Sequence, residues 1–194
     1  FRCPVDQLEV APQLARFLAQ GLGTEPVTIV SPDFGGAKRA QRLQDLLAVH
    51  ARREVGFALY EKRRSGGVVS GDLLIGPVQG CHVVLVDDLI SAGSTILRAV
   101  KACRDAGAVR VDACATHGVF EPEAQRLLGP DGPDRLIVSD SILPTRIAPR
   151  RLITHHLQPT TRFSISPHLR FHSIEFNDIV HPVRIRAMWF AQHI

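Results

Sequence analysis

The stretch Val83-Val84-Leu85-Val86-Asp87-Asp88-Leu89-Ile90-Ser91-Ala92-Gly93-Ser94-Thr95 decides the fold predicted for this chain. Its four leading residues are apolar and mostly β-branched, which predicts a buried strand, and the small-residue turn predicts a helix from Ile96. In an open parallel sheet, ligands bind beyond the carboxyl ends of the strands. We therefore expect Asp87 and Asp88 to face a crevice rather than the core.

The chemistry of this turn favours a sugar phosphate. Carboxylates at a strand end can accept hydrogen bonds from ribose hydroxyls. The residues Ser91, Ala92, Gly93, Ser94 and Thr95 bring backbone N–H groups and hydroxyls to the N-terminus of the following helix, which favours a phosphate monoester. The alternative is an acidic turn in which Ser94 or Thr95 only caps the helix. That alternative explains one hydroxyl but not two adjacent carboxylates.

Repeated strand, turn and helix units along the chain predict an α/β fold with a doubly wound, mainly parallel sheet. The spacing of apolar residues predicts the following elements: helices from Pro12 to about Gln20, over Ala40–Val49 with Val49 on the buried side, from Ile96 to Ala106 and over Glu121–Leu128, and strands over Val27–Val30, Val55–Tyr60, Asp72–Ile75, Val109–Ala115 and Leu136–Val138. Beyond about Arg146 this regularity fails. Residues 147–194 are expected to form an atypical, disordered or aberrant tail.

Composition bounds the class of protein. The 194 residues, 45% of them hydrophobic, suffice for one well-buried α/β domain. We expect a cytoplasmic protein without a membrane partner, because no apolar run approaches the roughly 18 residues that span a bilayer and no secretory signal is evident. The net charge is +4, but only 6% of residues are aromatic and no basic stripe is interleaved with them, so nucleic acid is not expected as a partner.

The cysteines and the N-terminus carry two further expectations. The four cysteines Cys3, Cys81, Cys103 and Cys114 lack metal-ligand spacing, so free thiols and no bound zinc are expected. The chain begins at Phe1 rather than at a methionine. We therefore expect it to be a fragment of a longer protein.

Two other polar segments complete a predicted diphosphate site. In the turn Ser31-Pro32-Asp33-Phe34-Gly35-Gly36, the glycines free backbone N–H groups to face phosphate oxygens, and Asp33 offers a hard ligand for Mg²⁺. An Asp in such a turn can equally be a cap or Asx-turn residue. The run Lys62-Arg63-Arg64 precedes Ser65-Gly66-Gly67 and predicts a mobile loop suited to a polyanion such as a nucleoside triphosphate. A solvated surface cluster is the alternative for this run.

In chain order, these segments resemble the ribose-phosphate pyrophosphokinases, also called phosphoribosyl diphosphate synthetases, whose fold is of the type I phosphoribosyltransferase kind. The matching segments are Pro4-Val5-Asp6, Val30-Ser31-Pro32-Asp33 with Gly35-Gly36 and Arg39-Ala40, Glu61-Lys62-Arg63-Arg64, Val86-Asp87-Asp88 and Ala115-Thr116-His117-Gly118. The similarity runs from Phe1 to about Pro144. It implies that residues 1–146 are the second domain of such a protein, whose N-terminal domain is missing here.

The resemblance implies a ribose-phosphate diphosphokinase, an enzyme of nucleotide biosynthesis. In that family the anomeric hydroxyl of ribose 5-phosphate attacks the β-phosphorus of Mg-ATP, and the diphosphoryl group is transferred whole with release of AMP. The roles implied by motif position are Lys62 as catalytic cation, Arg64 as its partner and a ribose 5-phosphate contact, Asp33 as Mg²⁺ ligand, Gly35 and Gly36 for the diphosphate, Asp87 and Asp88 for the ribose hydroxyls, and Ser91, Ala92, Gly93, Ser94 and Thr95 for the 5-phosphate. His117 receives no chemical role beyond a structural hydrogen bond.

The sequence also departs from the family pattern. The phosphate turn usually reads Asp-Thr-Gly-Gly-Thr or Asp-Thr-Ala-Gly-Thr in the family, so Ser91 to Thr95 lack one carboxylate and one hydroxyl, each loss weakening binding by about 1 to 3 kcal/mol. Without the N-terminal domain, which supplies most of the ATP pocket, the isolated chain is expected to be inactive. Homo-oligomers are expected. Two alternatives stay open: a phosphoribosyltransferase acting on a base, or a non-catalytic regulatory subunit of a synthetase.

Overall fold

The computed structural model describes residues 9–65, 68–142, 147 and 152–155, with the backbone alone for residues 62–65, 68–72, 152, 154 and 155. Along the chain the elements are α1 (Ala11–Gln20), β1 (Val27–Ser31), α2 (Ala37–Ala51), β2 (Gly56–Ser65), β3 (Val68–Ile75), β4 (His82–Ile90), α3 (Ser94–Asp105), β5 (Arg110–Gly118), a 3-10 helix (Pro122–Leu128), β6 (Arg135–Ser139) and β7 (Leu152–His155). Among the described residues, no helix is long and apolar enough to cross a membrane.

Within this part of the chain, seven strands form one sheet in the order β3-β2-β1-β4-β5-β6-β7. Every neighbouring pair is parallel except β2 and β3, which are antiparallel. The chain therefore leaves β1 in one direction to form β2 and β3, and returns to the other side of β1 to form β4 and the strands after it. This confirms the predicted doubly wound, mainly parallel sheet.

Two apolar layers hold the sheet between its helices. Alternate residues of β4 belong to different layers: Val83 and Leu85 pack on the side of α3 and the 3-10 helix, whereas Val84 and Val86 pack on the side of α1 and α2. All five residues from His82 to Val86 are buried, as expected for a central parallel strand with both faces covered. The strand that carries Asp87 and Asp88, the acidic pair, is thus packed on both faces.

Two sequence expectations about local structure are wrong. Lys62, Arg63 and Arg64 do not form a loop, because their backbone continues β2 and pairs antiparallel with β3, Lys62 lying opposite Asp72. Val49 is not on the buried side of α2, since it is 72% exposed and lies about 200° around the helix from buried Leu47. The short helix expected over Glu121–Leu128 is present as a 3-10 helix over Pro122–Leu128.

Other expectations are confirmed. Gly107 has a φ of +85°, the left-handed conformation expected of the glycine that ends α3. Cys81, Cys103 and Cys114 are buried free thiols. The predicted boundary near residue 146 stays a prediction, and most of the predicted tail lies outside the described residues. Strand β7 extends the sheet to His155, past that boundary.

A buried ion cluster anchors the amino edge of the sheet, opposite the acidic pair. The carboxylate of Asp112 on β5 accepts hydrogen bonds from His82 Nε2 at 2.7 Å and from Arg135 Nη2 at 2.6 Å. The side chains of His82 and Asp112 are fully buried. Burial by itself raises the pKa of Asp112, but the hydrogen bonds with His82 and Arg135 outweigh it and hold the pKa below its ordinary value. The cluster therefore ties the amino ends of β4, β5 and β6 together around an ionised carboxylate.

Asp112→Asn is expected to lower the free energy of unfolding at pH 7 by about 3 to 5 kcal/mol, because it removes the buried charge that faces His82 and the partly buried Arg135. Urea denaturation followed by circular dichroism measures the loss. The control is Asp105→Asn, which breaks an exposed pair with Lys101 on α3 and should cost less than about 1 kcal/mol.

The loss should also depend on pH. Because the folded chain binds the Asp112 proton more weakly than the unfolded chain, the stabilisation is present above about pH 4 and disappears as the pH falls below the folded-state pKa. Equal and small losses in the two variants at pH 7 would contradict the assigned role of Asp112.

Candidate functional site

The carboxyl ends of β1, β4 and β5 surround the candidate site. A cleft of about 270 Å³ there is lined by Asp87, Leu89, Ile90, Ser91, Ala92, Gly93, Ser94, Thr95 and Ile96. The structure thus brings one of the two predicted ribose-binding carboxylates together with the whole predicted phosphate turn. Asp88 does not line this cleft, and its carboxylate accepts a hydrogen bond from Arg39 of α2.

The turn from Ser91 to Thr95 has the geometry of an open helix N-terminus. Gly93 precedes α3 with a φ of +77°, and a Cβ atom at this position would lie 2.5 Å from Leu127 Cδ1. The N-cap position of α3 is Gly93, which has no side chain, so neither Ser94 nor Thr95 occupies the capping position that was the alternative. The first N–H groups of an α-helix have no intrahelical acceptor. The turn therefore offers donors to an anion.

Backbone hydrogen bonds from the segment after β5 hold the start of this turn in place. The N–H groups of Val119 and Phe120 donate to the carbonyl of Ile90 at 3.1 and 3.0 Å, and Glu121 N–H donates to the carbonyl of Ser91 at 3.2 Å. Since Phe120 is fully buried, its backbone is fixed by the core. The position of the turn is thus set before any ligand binds.

Asp33 organises the glycine turn after β1. Its Oδ1 accepts the Gly36 N–H at 2.8 Å, and its backbone carbonyl accepts the Ser31 hydroxyl at 2.7 Å. The Asx-type role that the sequence left open is therefore present. In this state the Gly36 N–H is directed to Asp33 rather than to the cleft, so its part in diphosphate binding stays a prediction, as does that of Gly35.

Arg39 links this turn to the acidic pair, and sequence reasoning assigned it no role. From the first turn of α2, its Nη2 donates to Asp88 Oδ2 at 2.6 Å, and its Nη1 lies 3.5 Å from Asp87 Oδ1. A signal was present in the sequence. The first turn of α2 contains Lys38 and Arg39 and no acidic residue, and cations at a helix N-terminus are unfavourable unless they have a partner.

The environment of Asp87 disfavours the charged form of its carboxyl group. Burial in the cleft is the largest cause that raises the pKa of Asp87 from 3.8 to about 6. The neighbouring Asp88 side chain and the charge of Asp33 raise it further, whereas the hydrogen bond that Asp88 N–H donates to Asp87 Oδ1 opposes the rise. The folded chain therefore holds a proton on Asp87 more tightly than the unfolded chain does.

Lys62 and Arg64 lie on the same edge of the sheet as Asp33. Strands β1 and β2 are parallel with Ser31 opposite Leu59, so Lys62 is three residues beyond the end of β1. Their side chains, like Gly66 and Gly67, lie outside the described residues. Their catalytic role stays a prediction that the backbone position allows.

His117 lies on β5, opposite Leu89 of β4. Its Nδ1 is 2.7 Å from the hydroxyl of Ser141, which in turn lies 3.1 Å from the carbonyl of Thr116. This is the structural hydrogen bond that the sequence allowed. It joins the ends of β5 and β6 beside the cleft.

The donor set at this edge suits Mg²⁺ in one particular way. Among the described residues, no group of three or more His, Cys, Asp or Glu side chains is placed to hold a metal ion. Mg²⁺ commonly binds proteins through one or two carboxylates and completes its shell with water and substrate phosphates. Asp33, an exposed carboxylate beside the glycine turn, fits that mode of binding.

A larger cleft of about 380 Å³ lies at the opposite, amino edge of the sheet. It is lined by Leu74, Gly76, Pro77, Val78, Gln79 and Ala106, with no charged side chain. A phosphate ligand needs cationic or N–H donors that this lining does not concentrate. The smaller polar cleft is therefore the better candidate despite its size.

Known proteins match the chain across this domain. The phosphoribosyl transferase domain family matches residues 6–132. The ribose-phosphate pyrophosphokinase of Pasteurella multocida (strain Pm70) is 36% identical over 143 residues, which cover 73% of this chain and 44% of the relative. Ribose-phosphate pyrophosphokinase 2 of Schizosaccharomyces pombe is 36% identical over 145 residues, with coverages of 73% and 43%.

A solved structure agrees with these matches. The crystal structure of phosphoribosylpyrophosphate synthetase from Mycobacterium smegmatis superposes with a TM-score of 0.67 at 30% identity, covering 80% of this chain and 49% of that one. The chain spans less than half of the length of the curated relatives that it matches.

Gly93→Ala is expected to weaken binding of ribose 5-phosphate and to lower the free energy of unfolding by about 2 to 4 kcal/mol, because a left-handed φ and a clash with buried Leu127 both disfavour a Cβ atom. Gly80→Ala is the matched control, since Gly80 has a φ of +71° and open space around its Cβ position. It should cost only the backbone strain, about 1 to 2 kcal/mol, and leave binding unchanged. Calorimetry and urea denaturation measure the two effects; equal losses would refute the packing argument.

Asp87→Asn is expected to stabilise the fold at pH 8 by about 1 to 2 kcal/mol. This gain is smaller than the free energy that corresponds to the whole rise in the pKa of Asp87, because water reaches part of the side chain and screens its charge. Since the folded chain holds the Asp87 proton more tightly than the unfolded chain, the charged carboxylate costs stability as the pH rises through about 6. The gain should shrink as the pH is lowered from 6 to 4. Denaturation midpoints between pH 4.5 and 8 test this, with exposed Asp45→Asn as control; a gain independent of pH would be inconsistent with it.

Proposed function

This chain belongs to the phosphoribosyl transferase domain family, and from that premise we propose that it is the ribose-5-phosphate-binding and catalytic part of a ribose-phosphate diphosphokinase. The resemblance to ribose-phosphate pyrophosphokinases, read from the motifs, is confirmed by the matches. The observation that carries the proposal is the single cleft in which the Asp87 carboxylate faces an uncapped helix N-terminus. A pentose hydroxyl and a phosphate monoester on one small molecule satisfy both.

In the proposed complex the 5-phosphate of ribose 5-phosphate binds the turn from Ser91 to Thr95. The N–H groups and the Ser and Thr hydroxyls donate to its oxygens, and the positive end of α3 favours its charge. Asp87 and Asp88 accept hydrogen bonds from the ribose hydroxyls. The sugar is thereby fixed with its anomeric hydroxyl directed toward β1 and β2, where the glycine turn and Lys62 lie.

The transferred group would lie between the glycine turn and the β2–β3 hairpin. Phosphoryl-type transfer depends on in-line positioning and on cations that neutralise charge on the transferring group. Lys62 and Arg64, on the backbone that extends past β1, would supply that charge. Gly35 and Gly36 would let a diphosphate approach the backbone closely.

In this proposal Asp33 would bind Mg²⁺. When bound, it would neutralise phosphate oxygens of the nucleotide and orient them. Asp33 is exposed, and its Oδ1 accepts a hydrogen bond from the Gly36 N–H, which places the carboxylate beside the glycine turn. This position supports the assignment.

The activity is proposed for the protein that contains this chain, with ATP as the diphosphoryl donor and AMP and phosphoribosyl diphosphate as products. The chain itself is expected to bind ribose 5-phosphate. A cytoplasmic location and a homo-oligomeric assembly are further expectations of the proposal.

Ribose 5-phosphate, ATP and Mg²⁺ incubated with the protein that contains this chain should give AMP and phosphoribosyl diphosphate in equal amounts, measured by ³¹P NMR. Lys62→Ala should lower kcat by about 10²- to 10³-fold, because it removes a preorganised cation from the transferring group. Lys101→Ala, an exposed lysine on α3, is the control and should leave turnover unchanged.

The possible outcomes separate the alternatives. Absence of both products would remove the proposal. Consumption of phosphoribosyl diphosphate in the presence of a purine or pyrimidine would indicate a phosphoribosyltransferase acting on a base. Turnover unaffected by Lys62→Ala in the assembled protein would support a regulatory subunit.

A further inference from the structure

Arg39 is placed where the two halves of the candidate site meet. It belongs to the first turn of α2, directly after the glycine turn, and its guanidinium reaches across to β4, 49 residues away along the chain. One amino group donates to Asp88 at 2.6 Å while the other lies 3.5 Å from Asp87. A Cβ atom on Gly36 would lie 3.1 Å from Arg39 Nη1, so the guanidinium also packs against the glycine turn.

Without their contact, Arg39 and the acidic pair would each be in an unfavourable electrostatic environment. A cation in the first turn of a helix is repelled by the positive end of the helix dipole. Two adjacent carboxylates repel each other, and the charge of Asp33 acts on Asp87 as well. The contact between Arg39 and the acidic pair relieves both conflicts at once. An isolated surface ion pair, such as Arg42 with Glu9 one turn further along α2, has no such requirement.

The chemistry of the ligand adds a reason. Ribose 5-phosphate is an anion, and the proposed reaction brings a second, larger anion to the same edge. The carboxylates of Asp33, Asp87 and Asp88 alone would repel both of them. A guanidinium held among these groups lowers that repulsion and leaves the outer oxygens of the carboxylates able to accept hydrogen bonds from ribose.

We propose that Arg39 is a positioning residue for ribose 5-phosphate, a counter-ion that holds Asp87 and Asp88 in the orientation in which they accept the ribose hydroxyls. The inference rests on the function proposed above and extends it to a residue outside the recognised motif roles. The planar fork of Arg can contact two carboxylates in one plane, whereas the ammonium of Lys is a point charge. The side chain acts on the substrate through the acidic pair.

The test compares Arg39→Ala and Arg39→Lys with Arg42→Ala, using the full chain. Binding of ribose 5-phosphate in the presence of Mg²⁺ is measured by calorimetry. We expect Arg39→Ala to weaken binding by about tenfold or more and Arg39→Lys to recover only part of that loss, because a point charge offsets the repulsion but cannot contact both carboxylates as the fork does. Arg42→Ala, which removes an exposed arginine of the same helix, should bind within about twofold of the unaltered chain.

A second measurement does not depend on the sugar. Binding of Mn²⁺ alone, followed by electron paramagnetic resonance of the free ion, reports the charge of the carboxylate group. Arg39→Ala should tighten Mn²⁺ binding by about three- to tenfold, because a competing positive charge is removed from about 4 Å. A variant that merely distorted the fold would weaken both ligands, so the opposite signs identify the counter-ion role.

The outcomes are separable from those of the proposed function. If the unaltered chain fails to bind ribose 5-phosphate, the proposed function fails, and the Mn²⁺ measurement still decides the role of Arg39. Equal Mn²⁺ binding by the unaltered chain and Arg39→Ala, or none by either, would overturn the inference. Weaker sugar binding with unchanged Mn²⁺ binding would also overturn it, because Arg39 would then contact the substrate directly.

Discussion

The acidic pair on β4 can be displayed only because that strand is held rigidly on both faces until the residue before it. Each side chain from His82 to Val86 is buried, and those of Val83 to Val86 belong alternately to one apolar layer and the other. When the apolar run ends, the same alternation directs Asp87 toward the phosphate turn and Asp88 toward α2. The site therefore depends on the register of one central strand, which the His82–Asp112–Arg135 cluster fixes at its other end.

The residues of the site also destabilise the fold. Asp87 is ionised against a pKa raised to about 6, Gly93 adopts a left-handed conformation in front of an uncapped helix, and Arg39 places a cation at a helix N-terminus. Each of these features violates a local preference, and each is compensated by a neighbour or by the ligand that we propose. Local conflicts concentrated in one cleft are a physical mark of a functional site.

The parallel strands and the phosphate turn could be predicted from sequence because they rest on local patterns: apolar runs, glycines and residues that follow a strand end. The features that were missed depend on contacts distant in the chain. Lys62 to Arg64 carry no apolar alternation, and only pairing with β3 makes them a strand. β7 has four residues and is formed by parallel pairing with β6. Arg39 acquires its role only from Asp87 and Asp88 on another element, although its place in a first helical turn was a hint.

The most direct test of the central claim is a map of backbone amide chemical shifts in the chain as ribose 5-phosphate is added. The account predicts that the shifts concentrate on residues 87–95, with smaller changes at Gly36 and Arg39 and none around Asp112. Absence of shifts at saturating sugar phosphate, or shifts centred on the apolar cleft around residues 76–79, would contradict it.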